Sequence, residues 1–186
     1  MSRLQGFGSG AGDVLMAMLP VVVLCDGFRV YSQRQIIQRH FAEIMGTVLV
    51  AASFSLYATA HAAAALGFGP VISRSLLSRS ITTPLAIPIA NALDASMPLT
   101  AAFVCITGLM GAALGRSVLS MIGANDEITR GISMAASGHG LAASALAAEE
   151  PQALPFSGVT IAAMGIVSNL LVNIPAVRLA LLAIVG

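Results

Sequence analysis

Three long stretches of this sequence carry no charge, and they constrain the fold more than any other feature. Residues 44–73, 95–115 and 151–177 are uncharged over 30, 21 and 27 positions. An α-helix rises about 1.5 Å per residue, so about 20 apolar residues cross the roughly 30 Å of hydrocarbon in a bilayer. Each stretch therefore predicts a membrane-spanning helix.

The composition agrees with a membrane protein and excludes other classes. Charged residues form 9% of the chain, against about 25% in a typical soluble domain. A net charge of +1 argues against nucleic-acid binding, which needs a dense basic surface. Cys25 and Cys105 lie in apolar runs without the spacing of metal ligands. We therefore expect no metal and no cofactor, and we expect both cysteines to be buried.

A fourth uncharged stretch, residues 131–148, has an interruption at its centre. Gly138, His139 and Gly140 lie there, and two glycines so close together weaken a helix. An imidazole at membrane depth is costly and usually belongs to a site or a transport path. This stretch predicts a broken segment rather than a simple span.

A fifth stretch, residues 80–93, is uncharged over only 14 positions and contains two prolines. Pro84 and Pro88 each remove a backbone donor and are expected to break the helix. The carbonyl groups that they leave unpaired must be shielded from lipid. The fold class predicted is thus all-α: a polytopic helical bundle integral to the membrane, with two broken membrane segments.

The two ends of the chain are less regular. Residues 1–12 form a glycine-rich lead without an apolar core, which is neither a signal nor a transit peptide, and residues 13–186 are expected to form one transmembrane domain. Residues 14–25 could begin a span kinked at Pro20. The closing residues 176–186 are expected to extend the last helix or to lie at the interface.

Charged loops suggest an orientation. Residues 29–40 contain three arginines and a histidine between apolar segments, so they are expected on the cytoplasmic, stromal or matrix side. The acidic pair Glu149 and Glu150 has no adjacent base in the sequence, and we expect it on the opposite side.

Helix packing is suggested by Gly111 and Gly115, which form a GxxxG motif in the second long stretch. Small residues let helix backbones approach closely in lipid. A chance occurrence in a chain so rich in glycine and alanine is the alternative.

The broken segments are the candidate substrate site. Arg79-x-Ile-Thr and Arg130-x-Ile-Ser open the two segments 51 residues apart, and paired broken helices often mark the midplane site of a transporter. Helix amino termini and arginines would both favour an anion. The alternative for either arginine is a side chain that snorkels to the interface. The candidate binding residues are Arg79, Ser80, Thr82, Thr83, Asn91, Arg130, Ser137 and His139.

His139 has a simpler alternative, a hydrogen bond between helices. An enzyme is not expected, because Ser137 and His139 lie on one segment and no carboxylate at membrane depth could orient the imidazole.

The sequence resembles the LrgB/CidB membrane family at both broken segments. Residues 78–86, Ser-Arg-Ser-Ile-Thr-Thr-Pro-Leu-Ala, are similar to its K-S-V-T-T-P-I-A stretch, and residues 130–142 are similar to its stretch around Ser-His. Residues 10–16, 33–43, 53–57, 150–156 and 175–186 resemble the LrgB-like half of plastid members. Gly138 and Ala143 depart from the family pattern, and Arg79 stands where bacterial members have a lysine.

The resemblance implies a carrier of small 2-hydroxycarboxylates that exchanges glycolate and glycerate across the chloroplast inner envelope in photorespiration. A holin-like, pore-forming or regulatory protein, or a carrier of pyruvate-like monocarboxylates, is the alternative. Family members usually have more helices upstream, so we expect an incomplete domain whose partners are lipid and an LrgA-like half, a second copy of the chain, or both.

Overall fold

The computed structural model describes residues 34–186, together with residues 18, 21, 24, 25, 27, 28, 31 and 32 before them. The glycine-rich lead and most of the candidate span at 14–25 lie outside these residues. The described part contains no strand. Within residues 34–186 its helices are α1 (Arg34–Arg39), α2 (Phe41–Ala65), α3 (Pro70–Leu76), α4 (Thr83–Ala92), α5 (Met97–Met121), α6 (Glu127–Ala147), a 3-10 turn (Pro151–Ala153), α7 (Leu154–Asn173) and α8 (Pro175–Val185).

The three expected spans are confirmed as α2, α5 and α7, each long and apolar enough to cross a membrane. The first ends earlier than expected, at Ala65, because the chain turns at Gly67 with a φ of +68°. The second continues past Arg116 to Met121. Charge does not end this helix because Arg116 is paired with Glu149.

The three helices differ in how much of their surface is buried inside the bundle. α7 lies at the centre, and most of its span is buried, whereas α2 and α5 are largely exposed. Their exposed side chains are large and apolar, including Val50, Phe54 and Leu109. Such faces suit contact with lipid, so the described chain forms a helical membrane bundle.

The first broken segment is a hairpin formed by α3, a turn over residues 77–82, and α4. The Ser96 backbone N–H donates to the Ser75 hydroxyl at 3.1 Å, which places the end of α4 beside α3. At the turn, the Ser80 and Ser55 hydroxyl oxygens are 2.7 Å apart, with Ser55 inside α2. The chain therefore enters the bundle, turns within it and returns to the end that it entered from.

The prolines do not make this break. Pro84 lies in the first turn of α4, where its missing N–H would have no partner within the helix. Pro88 lies inside α4, and the helix continues through it. The expectation that both prolines break the helix was therefore wrong, and the break lies in residues 77–82. Support for the α4 backbone comes from Asn169, whose side-chain amide donates to the Leu85 carbonyl at 2.9 Å.

The second broken segment, α6, is a hairpin as well. Gly138 (φ −132°, ψ 18°) and His139 (φ 45°, ψ −142°) are not helical, and they divide α6 into a first arm and a second arm. Arg130, near the start of the first arm, bonds to Glu150, just beyond the second arm, which shows that the chain turns back. Gly140 was also expected at the break, but its conformation is helical.

The hairpins enter from opposite ends of the bundle. The His40 end, defined by His40, Asp126 and Glu150, holds the base of α6, since a single cavity there is lined by Glu43 and Asp126. The Ser96 end, defined by Gly69 and Ser96, holds the base of the α3–α4 hairpin. Each hairpin follows a helix of 25 residues, and the two units are offset by 56 residues at α2 and α5.

This repeat differs from the one expected at a spacing of 51 residues. Arg79 lies at the tip of its hairpin, whereas Arg130 lies in the first turn of α6, at the base. The two arginines are therefore not equivalent positions. The similarity of their short motifs does not reflect structural correspondence.

The expectation that the two charged loops lie on opposite sides was also wrong. The ring centroids of His40 and Phe156 are 5.8 Å apart, so the basic segment before α2 and the acidic loop before α7 share one end. The acidic pair does have bases beside it, because Arg116 contacts Glu149 and Arg130 contacts Glu150. These pairs were not predicted because their members lie far apart in the sequence.

Two further expectations need correction. Cys25 and Cys105 are exposed rather than buried, and Cys105 lies beside exposed Ile106 on α5. Residues after 175 do not extend α7 but form a separate helix, α8, because Pro175 interrupts the backbone ladder.

Candidate functional site

Arg79 lies at the tip of the α3–α4 hairpin and is the centre of the candidate site. Its guanidinium Nε donates to the Thr59 hydroxyl of α2 at 3.3 Å, and the side chain is half-buried. No carboxylate of the described residues pairs with it. An arginine carries five N–H donors, so most of these donors remain free for a bound anion.

Two cavities meet at Arg79, and the first arm of α6 separates them. The first has a volume of about 420 Å³ and lies between α5 and that arm. The second has about 370 Å³ and lies between α2 and the arm. Arg79, Ser133 and Ser137 line both. The first cavity is otherwise mainly apolar and is lined by Thr107, Met110, Gly111, Leu114, Gly115, Val118, Leu119 and Met134; the second is completed by Thr47, Ala51, Phe54, Ser55, Ala58, Ser80 and Ala136.

Three candidate residues from the sequence are brought together here. Arg79 and Ser80 come from the first hairpin, and Ser137 comes from the second, although 57 residues separate Ser80 from Ser137. Ser80 is held by its contact with Ser55 of α2. Residues from both broken segments therefore face one space, and their role in binding stays a prediction.

Three other candidates lie apart from the cavities. Thr82 and Thr83 are at the start of α4 and are absent from the walls of both spaces. Asn91 lies in the last turn of α4 and is exposed. These residues are close to the tip in sequence, but the structure does not direct them to Arg79.

Arg130 is occupied by an ion pair at the His40 end. It donates from Nε and Nη2 to the two carboxylate oxygens of Glu150, both at 2.7 Å. It also donates to the Ala124 carbonyl at 2.9 Å. The Arg130 hydrogen bond holds the pKa of Glu150 below its ordinary value. This arginine therefore ties the base of the α6 hairpin together.

His139 makes the helix-to-helix hydrogen bond that was its simpler alternative. Its Nε2 is 2.9 Å from the Val104 carbonyl oxygen of α5, and the side chain is buried. Ser137 donates to the Ser133 carbonyl at 2.8 Å, one turn back in its own arm. The two side chains thus have separate partners and do not form a nucleophile and base.

The hairpin tip packs on α5 through glycines. A Cβ at Gly111 would lie 3.0 Å from the Gly138 Cα, and one at Gly115 would overlap the Met134 Sδ. Gly108 similarly makes room for the His139 ring. The GxxxG pair therefore lies where α5 contacts the first arm and the tip of α6.

Several residues of the candidate site were not predicted from the sequence. Ser133 lies one turn before Ser137, so the i, i+4 spacing places both on one helix face and could have revealed it. Thr59 and Ser55 lie on a long apolar helix, where nothing local marks them as polar contacts of another segment. Within the described part of the chain, no group of three or more histidine, cysteine, aspartate or glutamate residues could hold a metal.

Comparisons with known proteins agree with the resemblance. The sequence model of the LrgB-like family matches residues 4–177. The plastidal glycolate/glycerate translocator 1, chloroplastic, of Arabidopsis thaliana is 45% identical over 178 residues, which cover 95% of this chain and 35% of that protein. No solved structure matches.

Bacterial relatives are more distant. The uncharacterized protein YwbG of Bacillus subtilis is 30% identical over 69% of this chain and 57% of its own length. The uncharacterized protein YxaC of the same organism is 31% identical over 75% of this chain and 60% of its own. The chain thus spans about a third of the plant relative and less than two thirds of these two. With the family pattern matched over nearly all its residues, the chain belongs to the LrgB-like family.

Proposed function

We propose that this chain forms the substrate-binding part of a membrane carrier for small 2-hydroxycarboxylates, with glycolate and glycerate as the exchanged pair. The observation that carries the proposal is Arg79, an arginine at the tip of a hairpin, inside the bundle and without an acidic partner among the described residues. Ionisable residues at membrane depth are costly, and they usually mark a substrate or ion path. A carboxylate substrate would supply the missing partner.

The surroundings of Arg79 suit a small hydroxylated anion. Arginine binds carboxylates through paired N–H groups, and such charge-assisted bonds are stronger than neutral ones. Ser133 adds a hydroxyl that can both donate and accept, and the bonded hydroxyls of Ser80 and Ser137 can still accept, which matches the hydroxyl beside the carboxylate. Cavities of about 370 and 420 Å³ accommodate a molecule of two or three carbons.

The arrangement of the hairpins favours a carrier over a pore. Secondary transporters commonly contain two inverted repeats whose broken helices meet at a central site. Here the α3–α4 hairpin and α6 enter from opposite ends and meet at Arg79. Movement of one unit against the other would expose the site to each side in turn.

The plant relative supports the choice of substrates and compartment. Its name describes a chloroplast translocator of glycolate and glycerate. We therefore propose that this chain acts in the chloroplast inner envelope and exchanges these anions in photorespiration. An LrgA-like half, encoded with it or apart from it, and a second copy of the chain are the proposed partners.

The test is exchange in proteoliposomes. The protein is reconstituted alone and together with an LrgA-like partner. The proteoliposomes are loaded with unlabelled glycerate, and the entry of labelled glycolate is measured. Arg79→Gln should lower the initial rate by about tenfold or more, since a hydrogen bond to a charged group contributes about 1.5–3 kcal/mol. The matched control is Arg178→Gln in α8, outside both cavities.

Several outcomes would overturn this assignment. Equal rates for Arg79→Gln and the wild type would exclude Arg79 as the anion contact. Passage of a neutral solute such as erythritol, without saturation or exchange, would identify a pore-forming protein. Stronger competition by pyruvate than by glycerate would identify a carrier of monocarboxylates in general.

A further inference from the structure

A third cavity lies between the candidate site and one end of the bundle. It has a volume of about 440 Å³ and lies at the His40 end between α2 and the first arm of α6. Thr47 and Ser133 line both this cavity and the second cavity at Arg79. The two spaces therefore adjoin at Thr47 and Ser133, and they mark the route that a substrate would take from the His40 end to Arg79.

The acidic residues that line the third cavity do not prevent an anion from following this route. Glu43 pairs with His40 at 2.9 Å. Asp126 caps α6 by accepting from the Thr129 backbone N–H at 2.9 Å. Each carboxylate thus accepts a hydrogen bond, from the His40 Nδ1 or from a backbone N–H, that reduces its repulsion of an entering anion.

Ser133 has a special position on the route, because it lines all three cavities. Neighbouring hydroxyls are occupied: Ser137 donates to the Ser133 carbonyl, and Ser157 donates to the Gly131 carbonyl at 3.1 Å. The Ser133 hydroxyl makes no such bond to any described residue. It is therefore free to bond to a molecule in the cavities.

We infer that Ser133 determines specificity by binding the hydroxyl of the substrate while Arg79 binds its carboxylate. The inference rests on the proposed function. It adds which side chain recognises the 2-hydroxyl group, by which 2-hydroxycarboxylates differ from plain carboxylates. A site that hydrogen-bonds a substrate hydroxyl discriminates against an analogue without it, since its own polar group is then left unpaired. Glycolate and acetate differ by this one hydroxyl.

The first experiment measures this discrimination. Uptake of labelled glycolate is inhibited with unlabelled glycolate and with acetate, and the ratio of the two inhibition constants is compared among variants. Ser133→Ala should lower the preference for glycolate roughly threefold to tenfold, the range expected for one neutral hydrogen bond. Ser133→Thr, which keeps a hydroxyl, should retain most of it.

The matched control is Ser144→Ala, an exposed serine in the second arm of α6 that lines none of the three cavities. Its ratio should equal that of the wild type. If Ser133→Ala transports glycolate with an unchanged ratio, the inference is wrong although the carrier function stands.

The second experiment tests the route without depending on transport. In a background with Cys25→Ser and Cys105→Ser, Ser133→Cys should react with a membrane-impermeant thiol reagent from one side only, and glycolate should slow the reaction. Ser144→Cys should show no protection. Lack of protection at residue 133 in a protein that exchanges glycolate would overturn the inference, whereas absence of exchange by the wild type would overturn the proposed function itself.

Discussion

Arg130 and Glu150 join the two ends of the α6 hairpin through two hydrogen bonds of 2.7 Å each. Arg130 is buried, and it also reaches the Ser120 hydroxyl and the Ala124 carbonyl beyond α5. One side chain thereby connects the end of α5, the first arm of α6 and the loop before α7. This connection holds the hairpin shut at its base while its tip packs inside the bundle.

The first prediction concerns loss of this pair. Arg130→Gln should destabilise the protein by about 2–4 kcal/mol, because the partly buried Glu150 carboxylate loses both short hydrogen bonds and keeps only Arg116, at 3.6 Å. Thermal unfolding in detergent would show this as a lower Tm. Arg130→Lys should recover only part of the loss, since lysine cannot form the paired bonds.

The control for this prediction is Arg39→Gln, at the exposed end of α1. It should change Tm little. Combining Arg130→Gln with Glu150→Gln should cost less than the sum of the single changes. Strict additivity would show that the two side chains do not interact in the folded protein.

The second prediction is an acid limit on stability. The hydrogen bond from Arg130 and the charge of Arg116 keep the pKa of Glu150 below its ordinary value. Its contribution is therefore present above the unfolded pKa of about 4.3 and is lost as the pH falls through the lower folded pKa. For Glu150 we expect Tm to fall as the pH drops below about 4.3.

Glu150→Gln should reduce this acid dependence, and Tm measured against pH would reveal it. Asp126 accounts for part of the remainder, because its bonds to Thr129 also lower its pKa. Glu127→Gln, exposed in the first turn of α6, should leave the profile as it is. A Glu150→Gln profile that matches the wild type would contradict the assignment.

The sequence alone was sufficient for the spans and for the existence of both broken segments. Charge is so costly in hydrocarbon that its absence over 20 residues nearly defines a span. Glycines beside His139 likewise marked the true break in α6. These signals are local, and no distant contact is needed to read them.

The reversal of direction in both broken segments could not be predicted, because it depends on distant contacts. The turn over residues 77–82 contains no glycine or proline, and it is held by Ser55 and Thr59 of α2. Arg116 and Arg130 seemed to mark membrane boundaries or a substrate site, yet acidic residues far along the chain neutralise them. Of Arg79, Arg116 and Arg130, folding leaves only Arg79 without an acidic partner among the described residues.

The third prediction concerns the tip of α6. A Cβ at Gly138 would lie 2.6 Å from the Ala142 Cβ and 3.1 Å from the Gly111 Cα. Gly138→Ala should therefore force the tip away from α5 and cost on the order of 1–3 kcal/mol. A lower Tm in detergent, with faster proteolysis of α6, would report this.

Gly140 provides the matched control two residues away. A Cβ there meets nothing within 4 Å, and the backbone is helical. Gly140→Ala should be neutral or should stabilise the protein by up to about 1 kcal/mol, through the higher helix propensity of alanine. Equal losses at both positions would show that the close approach of Gly138 to α5 is not what requires glycine.

The fourth prediction concerns the support of α4 by α7. Asn169 donates from its side-chain amide to the Leu85 carbonyl and to the Gly165 carbonyl, both at 2.9 Å, and Gly165 leaves room for the Leu85 side chain. Asn169→Leu keeps the number and branching of the side-chain heavy atoms but removes these bonds, so it should cost about 1 kcal/mol and loosen the hairpin that carries Arg79. Asn173→Leu, whose amide bonds only within α7 and is exposed, should have a smaller effect. Hydrogen exchange over residues 83–92 would separate the two, and equal protection of α4 in both variants would rule out Asn169 as its anchor.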